Sequence, residues 1–347
     1  MIYSHAIIGF DVLEDKLKEE FMEFLMSVSM HHYQQNLFWY ICNPHLDAVV
    51  AITRRSDEIV ASSVIRRIRY SIINKSKYLI QNGPVYSDYD SLIEHLKMVT
   101  EHLSSDAIDV RISPSVDVDG QRSVCEHLST LEYYKYVYPN GNYTSTIIID
   151  LERSIASIEA GFSSSLRRQL KKAKQQGIQI KIINSDEGLL AILRQVSNFY
   201  SKRGIGMPGK DNLKCFIKKY ALDNNLGVVL SANYHGEMVA GVIIVGCGDR
   251  AIFSYGYKSE DAGLRKLPLS HLLHYEAIVW AKENGYRLYD FGGYNVDDIK
   301  CGNNQFKLGF SRNIELFSEN YIYTFHPILT KALDMGGKLK NIVKELQ

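Results

Sequence analysis

The chain has no CxxC pair: its five cysteines, Cys42, Cys125, Cys215, Cys247 and Cys301, are scattered and odd in number. That pattern fits neither a thiolate zinc site nor a disulfide framework, so a reducing compartment is the expected setting. There is also no charge excess, with 40 basic against 39 acidic residues and a net charge of +1. No global field calls for nucleic acid or membrane, and any such partner must be read by a local patch. No apolar run is long enough to span a bilayer. The opening MIYSHAIIGFDVLED lacks the basic start and long apolar stretch of a signal peptide. The expected location is cytoplasmic, with the inner face of a membrane within reach.

What is present is ordinary globular composition, 46% hydrophobic and 23% charged over 347 residues, enough for two domains with real cores. The 23 tyrosines fall largely in strand-like runs such as Tyr133 to Tyr138 and Ser254 to Tyr257. Amphipathic rings of this kind suit half-buried sheets and polar clefts.

Along the chain, helical spacing predicts an amphipathic helix over Leu13 to Ser29. His31 and His32 follow, and as adjacent residues they point different ways, which argues against a metal pair. DAVVAITRR, IVASSVIRRIRY and KYLIQNGPVYSD read as an antiparallel hairpin and a third strand. A helix over Asp90 to Leu103 and a short strand, Ala107 to Pro114, complete the unit. Thr144 to Leu151 is another strand. Ser163 to Ser165 then cap a helix whose apolar face is Leu166, Leu170 and Ala173 and whose opposite face is Arg167, Arg168, Lys171, Lys172 and Lys174. Such a face contacts phosphates or is simply solvated. The run from Gly227 to Lys258 reads as three antiparallel strands, Pro268 opens a long helix closed by Gly285, and RLYDF follows. Strand, hairpin, strand, helix, strand thus appears twice, a repeat of architecture. The expected boundaries are 1–145, 146–325 and a C-terminal helix over 326–347.

The chemistry concentrates in Arg287 to Phe310. A strand stops at Gly292 and Gly293, and a polar loop through Asp297, Asp298, Asn303 and Asn304 delivers a cation, Lys307, flanked by the apolar Phe306 and Leu308. A fixed positive charge there can stabilise a developing oxyanion. A surface lysine with its stem along an apolar face is the plainer alternative. Asp109 and Asp290, both at strand ends, are candidates for a general base or for structural carboxylates. His271 and His274 lack an HExxH frame and read as packing or surface histidines.

NGPVYSD, the run IIIDLERSIASIEAGFSSSLRRQLKKAKQQGIQIK, and above all YDFGG followed by QFKLGF resemble segments of the Fem family. These are the aminoacyltransferases that build peptidoglycan interpeptide bridges. The resemblance covers nearly the whole chain. It implies an α/β (α+β) fold of two tandem GNAT-like domains, with mixed sheets flanked by helices. It also implies transfer of an aminoacyl group from charged tRNA to an amine of a cell-envelope precursor, without metal or redox cofactor. Lys307 matches the family lysine proposed to stabilise the oxyanion, and Phe306 its neighbour. Arg203 lies where members carry basic residues near the phosphates of a nucleotide-linked acceptor, and Lys210 is placed to share that role. Tyr257 and Gly292 complete the expected substrate contacts, and Arg167, Arg168, Lys171 and Lys174 the expected tRNA or phosphate contacts. The long antiparallel helical arm of many Fem proteins is missing.

Three rivals follow from the same residues. DFG at Asp290 to Gly292 has no HRD loop and no Gly-rich phosphate loop behind it, so a kinase is set aside. Acyl-CoA-dependent N-acyl transfer, for example to an amino sugar of a surface polysaccharide, needs an anion-binding turn before the long helix. The segment there is KSEDAGLRKLPLS, with Glu260, Asp261 and Pro268. A catalytically silent GNAT-like binding module is the third. The segment HPILTKALDMGGKLKNIVKELQ is basic and amphipathic, so it docks on the protein or lies on an anionic membrane surface.

Overall fold

The structure, a computed structural model, describes residues 2–28, 31–114, 124, 126–136, 145–316 and 319–345. The chain divides into two compact units, 1–142 with 316–347, and 143–315. Cys125 and the part of the tyrosine run at 137–138 lie outside the described residues.

The first unit opens with β1 (Tyr3–Gly9), α1 (Asp15–Ser27) and the short α2 (Leu37–Ile41). Next come β2 (Ala48–Arg55), β3 (Glu58–Tyr70), β4 (Lys75–Ile80) and β5 (Val85–Tyr86). α3 (Tyr89–Leu103), β6 (Ala107–Ile112) and β7 (Tyr134–Tyr136) follow. The hairpin expected between β2 and β3 closes through Ser56 and Asp57 at φ 51° and 72°, the paired left-handed geometry that matches strand twist. Asp88 caps α3 by accepting from the Ser91 N–H at 2.8 Å. β4 and β6 pair in parallel all the way from Lys77↔Asp109 to Ile80↔Ile112.

The second unit runs β8 (Ser145–Asp150), α4 (Ile155–Gly161), α5 (Ser164–Gln175), β9 (Gln179–Ile182), α6 (Asp186–Ser201) and α7 (Lys210–Phe216). It continues with β10 (Gly227–Tyr234), β11 (Glu237–Cys247), β12 (Arg250–Lys258), α8 (Leu269–Glu283), β13 (Leu288–Gly293), α9 (Gly302–Leu308) and β14 (Ile314–Leu316). Its seven strands lie in the order β14-β8-β13-β12-β11-β10-β9. The core is aliphatic and aromatic, with Leu166, Leu170, Val242, Ile244, Leu273, Ile278, Tyr289 and Phe291 all buried.

The chain then returns to the first unit as β15 (Asn320–Thr324) and α10 (Pro327–Glu345). β15 pairs with β6 on one side and β7 on the other, giving the sheet order β1-β2-β3-β4-β6-β15-β7 with β5 on β3. Residues 316–325, read in sequence as the end of the second domain, thus complete the first. A strand of five residues carries no label saying which sheet it joins, because pairing is decided by backbone partners far away in sequence.

Both units repeat a parallel pair spanned by a helix, β4–α3–β6 and β12–α8–β13. They differ at the end of that pair. In the second unit the pairing runs only from Arg250↔Leu288 to Ile252↔Asp290. Beyond it β12 stays with β11, and β13 pairs with β8 through Gly293↔Thr146. The strands therefore part at their carboxyl ends, where open α/β sheets form clefts. A bulge in β12 widens the opening: Ile243 faces Tyr255 and Ile244 faces Phe253, leaving Ser254 without an opposite residue.

Candidate functional site

Lys307 stands at this opening. It is carried not by a loop, as the polar sequence before it implied, but by the helix α9. The loop from 294 to 301 is pinned by Asn304, a buried side chain that donates to the carbonyls of Asn295 at 2.6 Å and Asp298 at 2.9 Å. Asn303 and Asn304, counted as loop residues in sequence, are thus helical, and Asn304 holds the loop by its side chain.

The Lys307 side chain is 4% exposed, which removes it from the class of surface lysines. Its Nζ donates to the carbonyls of Gly292 at 2.9 Å and Gly293 at 2.5 Å. Burial pulls its pKa down to about 8, opposed by the charge of Asp290. An ammonium has three N–H bonds. Two are spent on carbonyls and one remains for an incoming oxygen.

Those carbonyls are aimed by the turn at the end of β13. Gly292 sits at φ 67°, and a Cβ there would also come within 3.2 Å of the Phe253 carbonyl, so glycine is required on both counts. Asp290 holds the turn by accepting the Gly292 N–H at 2.7 Å and the Thr146 hydroxyl. Its second oxygen lies 3.7 Å from Arg250, which is itself paired with Glu315 at 2.7 Å. Burial raises the Asp290 pKa, and the hydrogen bonds from Thr146 and Gly292 lower it. With those contacts its carboxylate acts on the backbone that positions Lys307.

An aromatic wall backs the ammonium. His274 is buried, receives or gives one hydrogen bond with the Tyr289 hydroxyl at 2.7 Å, and lies against Phe253, Phe291 and Phe306 with centroids at 4.7, 5.0 and 5.3 Å. His271 packs at a tilt against Phe306, with centroids 5.0 Å apart. Burial pulls His274 down to about 3 and His271 to about 4, so both rings are neutral at working pH. Phe306 is thus part of a packed wall one residue from the charge. The wall was not legible in the sequence as a unit, because its members come from β12, α8, β13 and α9.

A second feature lies further along β12. A cavity of about 290 Å³ is lined by Asn198, Phe199, Met238, Tyr257, Glu260 and their neighbours. The Tyr257 hydroxyl is buried there without a hydrogen-bond partner. Arg203 does not stand free: it donates to the Phe199 carbonyl at 2.8 Å, lies 3.6 Å over the Phe199 ring and pairs with Glu260 at 3.0 Å. Lys202 shares the same carboxylate at 2.9 Å. Lys210 opens α7 and makes no ion pair among the described residues. The basic face of α5 is exposed. Ser163 caps its first turn, and the Ser163 N–H donates to the Gly309 carbonyl at 2.9 Å, so this helix starts beside α9. Lys174 lies 4.8 Å over the Tyr275 ring.

Asp109 is elsewhere, in the first unit. It is fully buried, held by Arg111 at 2.9 and 3.1 Å, by Lys77 at 3.6 Å and by the Thr330 hydroxyl at 3.1 Å. Arg111 and Lys77 also grip Asp334 of α10 at 2.9 and 2.8 Å. Two carboxylates and two cations balance, and every member is tied. This network fastens α10 to the sheet, and the carboxyl offers no free oxygen for proton abstraction.

The turn before α8 bears on the donor. Asp261 accepts the N–H groups of Gly263 at 2.8 Å and Leu264 at 3.3 Å. A carboxylate of the chain therefore occupies two backbone donors of the turn that leads into α8, on the side where a pyrophosphate would approach the helix start. Lys258 is likewise spent on the carbonyls of Arg265 and Leu267 at 3.0 and 2.9 Å.

Residues 160–308 match the family described as acetyltransferase (GNAT) domain, so the second unit carries an acyltransferase domain of that class. The chain as a whole has the fold of FemX: a crystal structure of FemX matches at TM-score 0.81 and 14% identity, covering 96% of this chain and 99% of that one. L-PGS from Bacillus licheniformis matches at TM-score 0.57 and 15% identity over 92% and 95% of the two chains. The C-terminal domain of a putative lysylphosphatidylglycerol synthetase from Agrobacterium fabrum matches at TM-score 0.57 and 13% identity over 89% and 91%. No curated protein sequence matches. The tandem GNAT architecture expected from the Fem resemblance is borne out, and so is an acyltransferase.

Proposed function

We propose that the chain moves an aminoacyl group from charged tRNA onto the amine of a cell-envelope precursor. The observation that carries this reading is the Lys307 ammonium, buried at the opening between β12 and β13 with one donor to spare. In such a transfer a neutral amine attacks the ester carbonyl, the carbonyl oxygen takes negative charge, the amide forms, and the ribose hydroxyl leaves with a proton. An ester already carries a workable leaving group, so positioning and charge stabilisation supply most of the acceleration. Lys307 stabilises the oxyanion, Asp290 and Gly292 fix the carbonyls that hold Lys307, and Phe306 with His271 and His274 keeps the charge out of water. The exposed cations of α5, beside α9, meet tRNA phosphates in this reading, and Lys210 meets phosphates of the acceptor, which Arg203 joins only by giving up Glu260.

The choice of tRNA over CoA rests on Asp261. A carboxylate on the Gly263 and Leu264 N–H groups opposes a pyrophosphate there by repulsion and by occupying its donors. A donor competition tests the reading: purified protein with mixed radiolabelled aminoacyl-tRNAs, or with acetyl-CoA, each offered a UDP-linked muropeptide and an amino-sugar nucleotide. Label moving from tRNA to the muropeptide is the expected result. Label moving only from CoA overturns the donor assignment, and no transfer from either donor returns the chain to a binding module.

A further inference from the structure

The first unit has a flank that the chemistry above does not use. The turn between β3 and β4 carries Ile72, fully exposed, and Ile73, 39% exposed. Two large aliphatic side chains in water at a hairpin tip cost free energy that a solvated turn of polar residues avoids. The arms below the tip carry cations that reach solvent, Arg66 and Arg69 on β3 and Lys75 on β4, while Arg67 is paired with Asp47 and Lys77 is buried against Asp334.

α10 lies beside this turn. Lys77, two residues into β4, donates to Asp334 of α10 at 2.8 Å, and Asp334 also acts on Tyr70, the last residue of β3. The helix docks by Thr330 and Asp334, one turn apart. Ile328 and Met335, seven residues apart and so on one face, are 88% and 64% exposed. Lys331, between them, is exposed as well. The sequence from 327 to 347 holds four lysines, Lys331, Lys338, Lys340 and Lys344, against Asp334 and Glu345. The carboxylates packed on these elements each have partners: Asp47 is shared by Arg67 and Arg69 at the surface, Asp106 accepts from Ser76 and Tyr78, and Asp334 is held by Lys77 and Arg111.

We propose that this flank, the β3–β4 tip together with the outer face of α10, docks on an anionic lipid surface, Ile72 and Ile328 entering the interface while the surrounding cations meet the headgroups. Apolar side chains at the tip and along a helix face, ringed by lysine and arginine, are what interfacial binding requires: insertion supplies affinity and charge supplies preference for anionic lipid. The proposal goes beyond the transfer reaction and does not depend on which donor is used.

The test is co-sedimentation of the full chain with vesicles of equimolar phosphatidylglycerol and phosphatidylcholine, and with phosphatidylcholine alone. The wild-type chain is expected to pellet with the anionic vesicles, more weakly as salt rises, and to stay in solution with the neutral ones. Ile72→Ser with Ile328→Ser, at exposed positions where folding is unaffected, is expected to lower partitioning on the order of tenfold or more, and Lys331→Glu to lower it further. Transfer to a water-soluble acceptor by the double serine variant is expected to equal wild type, which separates docking from chemistry. Equal pelleting of wild type and the double variant, or no pelleting with anionic vesicles at low salt, overturns the proposal. Sedimentation velocity showing a dimer that the double variant converts to monomer assigns the surface to a second copy instead, and also overturns it.

Discussion

A lysine this deeply buried is held in its charged form by two carbonyls and by the negative charge of Asp290, against the cost of desolvation. Replacing Lys307 with Met is expected to slow turnover by roughly a hundredfold to a thousandfold, the scale of losing one oxyanion donor. Circular dichroism and acceptor binding should stay near wild type, and an unchanged rate removes Lys307 from the mechanism. The same lysine sets a pH dependence. It works protonated and its pKa lies at about 8, so the rate should fall as pH rises through that value. Lys307→Arg, if it turns over at all, should lose that alkaline limb, because guanidinium does not titrate there. His271 and His274 contribute no limb near neutral pH, since burial pulls them down to about 4 and about 3.

Among the carboxylates the residue scale separates two that looked alike in sequence. Asp109 and Asp290 each sit in the last strand of a repeated unit. Asp109 is locked between Arg111, Lys77 and Thr330. Asp109→Ala should destabilise the first unit by about 3–5 kcal/mol, because it leaves buried cations short of a partner. Urea denaturation followed on the wild type and this variant measures it. A fall in rate without that loss of stability would restore Asp109 as a base.

At the scale of elements, the sequence was most legible where periodicity and punctuation agree. The hairpin of β2 and β3, the helix α3, the triple of β10, β11 and β12, and the capped α5 all fall where alternation, Ser163 and the turn residues place them. What did not show was short structure whose order comes from elsewhere. α9 was hidden because its seven residues are too few for a helical period to register and its cap is a cysteine without a capping hydrogen bond. The site was therefore legible as residues, Lys307, Gly292 and Phe306, and not as the geometry that joins them: the separation of β12 from β13 depends on pairing, which no local pattern encodes. Arg250 and Thr146 went unremarked for the same reason, since each matters only through a partner distant in sequence. Asp261 was legible as an acidic residue before the long helix, and the structure adds the N–H groups it accepts. The basic face of α5 makes an element-scale prediction. Changing Arg167, Lys171 and Lys174 to Glu should weaken aminoacyl-tRNA binding and lower the slope of log affinity against log salt by about two to three. Filter binding across a salt series measures that slope, and an unaltered one leaves the helix as a solvated face.

Across the whole molecule, the chain is not two beads in series. The first unit begins the chain and is completed by its end, through β15 between β6 and β7 and through α10. A chain cut after 315 should lose the cooperative melting of the first unit, because β6 and β7 then lack the strand between them. The fragment 143–315, contiguous and with its own core, should fold alone. Calorimetry on the truncated chain and the fragment decides the point, and a truncated chain that keeps both transitions contradicts it. No helix among the described residues is long and apolar enough to cross a membrane.

The carboxylate of Asp261 on the Gly263 and Leu264 N–H groups has a bearing on the metabolism around the enzyme. In an enzyme whose turn lies open to pyrophosphate, the donor has to outcompete every free nucleotide and thioester around it at each cycle. Here the chain supplies its own anion at that turn, which on the proposed reading would turn such traffic away. On the proposed reading the reaction would be insulated from the acyl-CoA pool, and its pace would follow the supply of aminoacyl-tRNA.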